Sequence, residues 1–137
     1  MGIHILGTGS YLPETVVDNE AFTAIVDTSD EWIVKHSGIR KRHFADGPTY
    51  EMAVNAAKSA LESAGTEAAE LDLILCTTVT SDYESPSLAC IVQGLLGAKN
   101  AIAMDVNAAC AGFVYGLDMA NMYLQHGYRR ILLVSAE

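Results

Sequence analysis

Apolar residues along the chain follow two rhythms. Leu71 to Val79 is a nearly continuous apolar run, the pattern of a strand covered on both faces. Ala101 to Val106 and Ile131 to Ala136 read the same way, and Ile3 to Leu6 reads as a short strand near the start. Between these runs the period changes to that of a helix. Thr49 to Ala64 carries Met52, Ala53, Ala56, Ala57, Ala60, Leu61 and Ala64 as one stripe, and Gly65 follows as a C-terminal stop. So many alanines predict close packing against a sheet. Leu88 to Leu96, closed by Gly97, predicts a second helix. Phe113 to Gln125, before Gly127, predicts a third that is apolar on nearly all sides and therefore central and buried.

The first third is more broken. Gly7-Thr8-Gly9 reads as a tight turn, and Pro13 ends the first element. Asp18 or Asn19 can cap a short helix carrying Phe22, Ile25 and Val26. Thr28 or Ser29 can cap another from Asp30 to His36, with two acids in its first turn and Gly38 as its stop. Ile39 to Ala45 alternates weakly, as an exposed strand or loop does. Strands separated by helices predict an α/β layered fold with a largely parallel mixed sheet around a buried central helix. No repeat or linker interrupts residues 1–137.

Composition narrows the function. The 137 residues carry a formal net charge of −9, which argues against a nucleic-acid partner. No apolar run is long enough to cross a bilayer, so no membrane partner is expected. Met1-Gly2-Ile3-His4 lacks a signal peptide's basic start, and Gly2 lacks a myristoylation pattern. Cys76, Cys90 and Cys110 are odd in number and far apart, forming neither a metal motif nor a disulfide framework. A reducing, cytoplasmic setting follows, with no metal site. Against the acidic balance, Lys35, Arg40, Lys41 and Arg42 crowd into eight positions beside His36 and His43. Such a run is often a solvated face. In this chain it also suits the phosphates of a nucleotide or an acidic protein surface.

Cys110 is the main chemical candidate. It sits among Ala108, Ala109, Ala111 and Gly112, where a strand turns into a helix. Unpaired N–H groups at a helix N-terminus favour a thiolate, the nucleophile of acyl transfer, and can also face an oxyanion. The small neighbours leave room for a carbonyl. The competing reading is a buried cysteine acting as a small hydrophobe.

Asp105-Val-Asn-Ala-Ala-Cys-Ala-Gly-Phe113 resembles the nucleophile segment of the β-ketoacyl-acyl carrier protein synthase III enzymes, of the thiolase superfamily. Gly7-Thr-Gly-Ser-Tyr-Leu-Pro13, Asp27-Thr-Ser-Asp-Glu-Trp-Ile33 and Gly38-Ile-Arg-Lys-Arg-His43 match the same family in order and spacing. The resemblance implies a thiolase-like fold in which Cys110 accepts an acyl group from acetyl-coenzyme A or another short acyl-coenzyme A. Decarboxylative condensation with malonyl-acyl carrier protein would follow and initiate type II fatty acid synthesis. It places Thr28 and Trp32 against the adenine of coenzyme A. His36 stands where the family often has arginine, and Arg40 lies in the basic run beside it. Ser85, before Pro86, stands where the family carries a bulky apolar residue that reaches across a homodimer to close the partner's acyl pocket. The thioester is a substrate, and no further cofactor is implied.

The family also uses a histidine and an asparagine from its second half, which residues 1–137 do not supply. His126 does not replace that histidine. It follows Cys110 by 16 residues on one predicted helix, about 24 Å at 1.5 Å per residue, whereas proton transfer needs about 3 Å. The chain therefore reads as an N-terminal half carrying the nucleophile, completed by a C-terminal polypeptide or belonging to a longer parent. Two other functions stay open. One is a polyketide- or quinolone-type starter synthase. The other is a non-catalytic structural subunit with an inert Cys110.

Overall fold

The computed structural model describes residues 3–137, so the readings made for Met1 and Gly2 lie outside it. Two compact units are present, Leu12–Gly47 and a larger one made of residues up to Tyr11 together with Pro48–Glu137.

In the larger unit, three parallel strands form a sheet with the first of them in sequence at its centre. They are β3 (Leu73–Thr77), β4 (Ile102–Val106) and β5 (Ile131–Ser135). Leu75 of the central strand lies level with Met104 on one side and Leu133 on the other. All five β3 residues are buried, as a continuous apolar run requires. Their alternation divides the core. Ile74 and Cys76 pack with Ala53, Val54 and Ala57 of α3 (Thr49–Ala64), and with Leu88, Ala89 and Val92 of α4 (Leu88–Leu96). Leu73 and Leu75 pack on the other face with Ala120 of α5 (Gly112–Gln125). The chirality of crossovers accounts for this division. The chain moves from β3 outward to β4 through α4, then back past β3 to β5 through α5. Same-handed crossovers running in opposite directions place their helices on opposite faces.

The predicted α/β class and parallel sheet are observed, with corrections. The buried central helix is buried on one side only. Gly112, Gly116 and Ala120 form the stripe of α5 that meets the sheet, while Phe113, Val114, Tyr115 and Met122 are exposed. Among the described residues, no other element of the larger unit layers over that outer face. Cys90 is exposed, because α4 turns Leu88, Ala89 and Val92 inward instead. Ile3 to Leu6 is not a strand, since it has no ladder partner among the described residues. Gly7 and Gly9 serve close approach rather than a turn. A Cβ on Gly7 would lie 2.5 Å from the Ala64 backbone nitrogen, and one on Gly9 would lie 2.2 Å from that of Ala60.

The smaller unit holds β1 (Thr15–Asp18), α1 (Glu20–Thr23), α2 (Asp30–Ser37) and β2 (Lys41–Phe44). β1 and β2 pair antiparallel, with Val17 opposite Arg42. The sequence pattern suggested no strand at β1. Ser29 caps α2 by accepting from the Trp32 N–H at 3.1 Å, and Gly38 ends the helix in the left-handed conformation.

Candidate active site

Cys110 lies on a single 3-10 turn, Ala109–Ala111, between β4 and α5. It is exposed. Ala109, just before it, has φ +45°, the only positive φ of a non-glycine among the described residues. That conformation costs an L-residue about 1–2 kcal/mol, and such strain concentrates where a backbone must present a functional group. Here it opens the short turn that carries the cysteine, and α5 starts two residues after Cys110. The helix then begins at Gly112, where a Cβ would meet Thr77 Cβ at 3.0 Å. Gly112 therefore has a packing reason, the close approach of α5 to the end of β3.

The two helix N-termini in this region differ. At α4, the Asp105 carboxylate accepts from the Leu88 N–H at 2.8 Å and the Ala89 N–H at 2.7 Å. Ser87 Oγ accepts from the Cys90 N–H at 3.3 Å. That positive end is already satisfied by a carboxylate. No side chain caps α5. The Gly112 N–H donates to the Ala109 carbonyl, and the positive end of the helix dipole stands beside Cys110.

The neighbouring loop is pinned at several points. Asp82 accepts from the Thr49 and Tyr50 N–H groups at 2.8 and 2.9 Å, capping α3 from a distance. Glu137 accepts from the Val79 N–H at 3.0 Å and from Thr80 Oγ1 at 2.5 Å. Thr77 and Ser135 join their hydroxyls across β3 and β5. Ser85 precedes Pro86 through a cis peptide bond, and Ser85 and Tyr83 are both exposed. The other thiol of the unit, Cys76, is buried in β3. Burial pushes it far above the ordinary thiol range, and the charge of Asp105 adds to the effect. It is a neutral core residue, as its strand position predicts.

Thr28, Trp32, His36 and Arg40 belong to the smaller unit, Cys110 to the larger. Trp32 is 57% exposed. Its ring stacks on His36 at 4.2 Å between centroids with 25° between planes. His36 Nδ1 is 2.7 Å from the Trp32 carbonyl oxygen. An oxygen of that kind only accepts, so Nδ1 carries a proton and Nε2 is directed elsewhere. Thr28 is half-buried, with its Oγ1 buried and unpartnered. Arg40, Lys35 and Lys41 are exposed, but Arg42 is not a free cation. It donates to Asn19 Oδ1 at 2.7 Å and stands 4.7 Å over the Phe22 ring. No group of His, Cys, Asp and Glu able to hold a metal occurs among the described residues. No helix there is long and apolar enough to cross a membrane.

Sequence reasoning missed three structural residues. Asn19 was read only as a helix cap, Asp105 only as the start of a motif, and Ala109 only as a small neighbour. Only Asp105 left a signal, a lone carboxylate in an apolar strand.

Parallel strands with flanking helices, and a cysteine on a strained strand-to-helix turn, form a thiolase-like α/β fold. A solved 3-oxoacyl-[acyl-carrier-protein] synthase III from Aquifex aeolicus superposes with a TM-score of 0.95 at 45% identity, covering 99% of this chain and 45% of that one. The priming β-ketosynthase of the R1128 polyketide pathway superposes at 0.91 with 38% identity, over 96% of this chain and 40% of that one. The beta-ketoacyl-[acyl-carrier-protein] synthase III of Oceanobacillus iheyensis is 54% identical over 100% of this chain and 45% of its own length. The family model for 3-oxoacyl-[acyl-carrier-protein] synthase III matches residues 104–137. Over the length it spans, the chain is similar to the β-ketoacyl-acyl carrier protein synthase III enzymes. That length is less than half of the curated relatives it matches.

Proposed function

We propose that this chain provides the nucleophile and the nucleotide-recognition elements of a β-ketoacyl-acyl carrier protein synthase III. Cys110 is the catalytic nucleophile. Its thiolate attacks the thioester carbonyl of acetyl-coenzyme A or another short acyl-coenzyme A. The oxyanion collapses, the bond to the coenzyme A sulfur breaks, and coenzyme A leaves as the thiol after taking up a proton. The acyl group remains on Cys110 as a thioester. Malonyl-acyl carrier protein then loses carbon dioxide, its enolate carbon attacks the acyl carbonyl, and the Cys110 thiolate is released. The histidine and asparagine that assist this second step come from the remainder of a complete enzyme, in the same polypeptide or a complementing one. The working assembly is a homodimer in the cytoplasm, and the product starts type II fatty acid synthesis.

Thr28, Trp32, His36 and Arg40 form the coenzyme A contact region, with the exposed Trp32 face for the adenine. Arg40, with Lys35 and Lys41, serves the phosphates or the acidic carrier protein. The observation that carries the reading is the exposed cysteine on a positive-φ turn before an uncapped helix. Incubation with acetyl-coenzyme A followed by peptide mass spectrometry tests it. One acetyl group on Cys110, absent from Cys110→Ala, is the expected result. Acetylation of Cys90 alone, or of no cysteine, contradicts it.

A polyketide starter synthase is the second reading. The exposed Ser85 before Pro86 and the likeness to the R1128 priming enzyme favour it. Comparing acetyl- with longer acyl-coenzyme A as the acyl donor distinguishes the two.

A further inference from the structure

α2 carries Trp32 and His36 on its exposed side, yet it has little apolar anchorage. Ile33, 8% exposed, is its only buried residue. One buried side chain is too little to fix a two-turn helix that is marginal alone. The anchorage comes from a polar side chain instead. Asn19 is 1% exposed, the most buried polar residue of its unit. Its Nδ2 donates to Asp30 Oδ1 at 2.8 Å and to the Ile39 carbonyl at 2.8 Å. Its Oδ1 accepts from Arg42 Nη1 at 2.7 Å. Asp30 is the first residue of α2, and Ile39 lies just beyond its Gly38 stop. One amide therefore grips both ends of the helix, and Arg42 ties it to β2. The order cation, amide, carboxylate lets each bond polarise the next. It also fixes which way the amide points, because a flip would set Oδ1 against two acceptors and the NH2 against a guanidinium.

We propose that Asn19 is a positioning residue for nucleotide recognition, holding α2 so that the stacked Trp32–His36 pair presents one face to an adenine. This rests on the reading of Trp32 as an adenine contact. It also gives Arg42 a task different from phosphate binding. Arg42 orients Asn19, leaving Lys35, Arg40 and Lys41 as the cations free to meet a ligand.

The test is calorimetric titration of the full chain with coenzyme A, alongside nuclear magnetic resonance of the His36 ring protons, which the stacked indole shifts. Asn19→Ala is expected to weaken coenzyme A binding at least tenfold and to move the His36 protons toward unstacked positions, with the β3–β5 sheet amides unchanged. Asn19→Asp alone sets a carboxylate against Asp30 and should be as damaging. Adding Asp30→Asn restores a donor–acceptor pair there and should recover part of both signals. A merely structural residue would show no such charge-exchange rescue. If Trp32→Ala abolishes binding while Asn19→Ala binds like the parent, the positioning role is wrong and the adenine reading stands. If the parent does not bind, or Trp32→Ala binds as well as the parent, the adenine reading fails. The His36 protons then decide the Asn19 role alone, and unchanged shifts in Asn19→Ala overturn it.

Discussion

The carboxylate of Asp105 lies 2.7 Å from the backbone nitrogen of Ala89, and the same carboxylate also accepts from Leu88. This joins the end of β4, five residues before Cys110, to the first turn of α4. The strand that leads into the Cys110 turn is thereby tied to the helix that follows the Ser85–Pro86 loop. Asp105→Ala leaves two buried N–H groups without a partner and should cost about 1–3 kcal/mol. Asp105→Asn keeps an acceptor and should cost less. Urea denaturation of the three proteins checks the order.

Glycine substitutions should separate backbone from side-chain crowding. A Cβ on Gly9 meets the backbone of α3 at 2.2 Å, and a helix backbone cannot yield. A Cβ on Gly116 meets Leu133 Cδ1 at 2.5 Å, the end of a rotatable side chain. Gly116→Ala should therefore cost about 1 kcal/mol and Gly9→Ala about 3 kcal/mol or more, within and beyond the usual range for overpacking. Equal denaturation midpoints for the two would show that the first segment does not press on α3.

Acid should weaken one identifiable link. Asp72 accepts from the Arg130 and Arg129 N–H groups at 3.0 and 2.8 Å, holding the loop before β5 to the start of β3. These bonds, led by that from Arg130, hold its carboxyl below the ordinary range, and the arginine charges add to the effect. A carboxyl lowered by folding stabilises the protein fully above its unfolded value, about 3.9. That contribution is lost as the pH falls through the folded value. The stability gap between the parent and Asp72→Asn should be constant above about pH 5 and close below about pH 4. A gap that widens on acidification would contradict the assignment.

Much of this fold was readable because its signals are local. Thr49–Ala64 and Leu88–Leu96 have the predicted ends because Gly65 and Gly97 adopt the left-handed conformation a helix stop needs. β3 was legible as an apolar run that a parallel sheet covers on both faces. The parts that were not legible depend on distant partners. β1 is four residues long and is a strand only because Lys41–Phe44 lies beside it. Asp82 and Asp105 cap helices 33 and 16 residues away, and no local motif announces such a cap. Phe113, Val114 and Met122 made α5 look buried all round, because periodicity reports the apolar faces of a helix and not what covers them. At the site, the residues alone placed Cys110 on a strand-to-helix turn. Its proposed role, and those of Thr28, Trp32, His36 and Arg40, came from the family resemblance. The positive φ of Ala109 was invisible, since alanine rarely adopts it.

The most direct measurement is the relative rate at which iodoacetamide alkylates the three cysteines of the native chain at neutral pH, read by peptide mass spectrometry. Cys76 is buried and should be protected until unfolding. Cys90 and Cys110 are both exposed, so access alone does not distinguish them. They differ in their helix ends. Cys90 lies on a helix already capped by Asp105, and Cys110 stands before an uncapped one. A helix end contributes about 1 kcal/mol to a nearby anion, so Cys110 should react roughly fivefold faster than Cys90, or more. Equal rates, or a faster Cys90, would contradict Cys110 as the nucleophile.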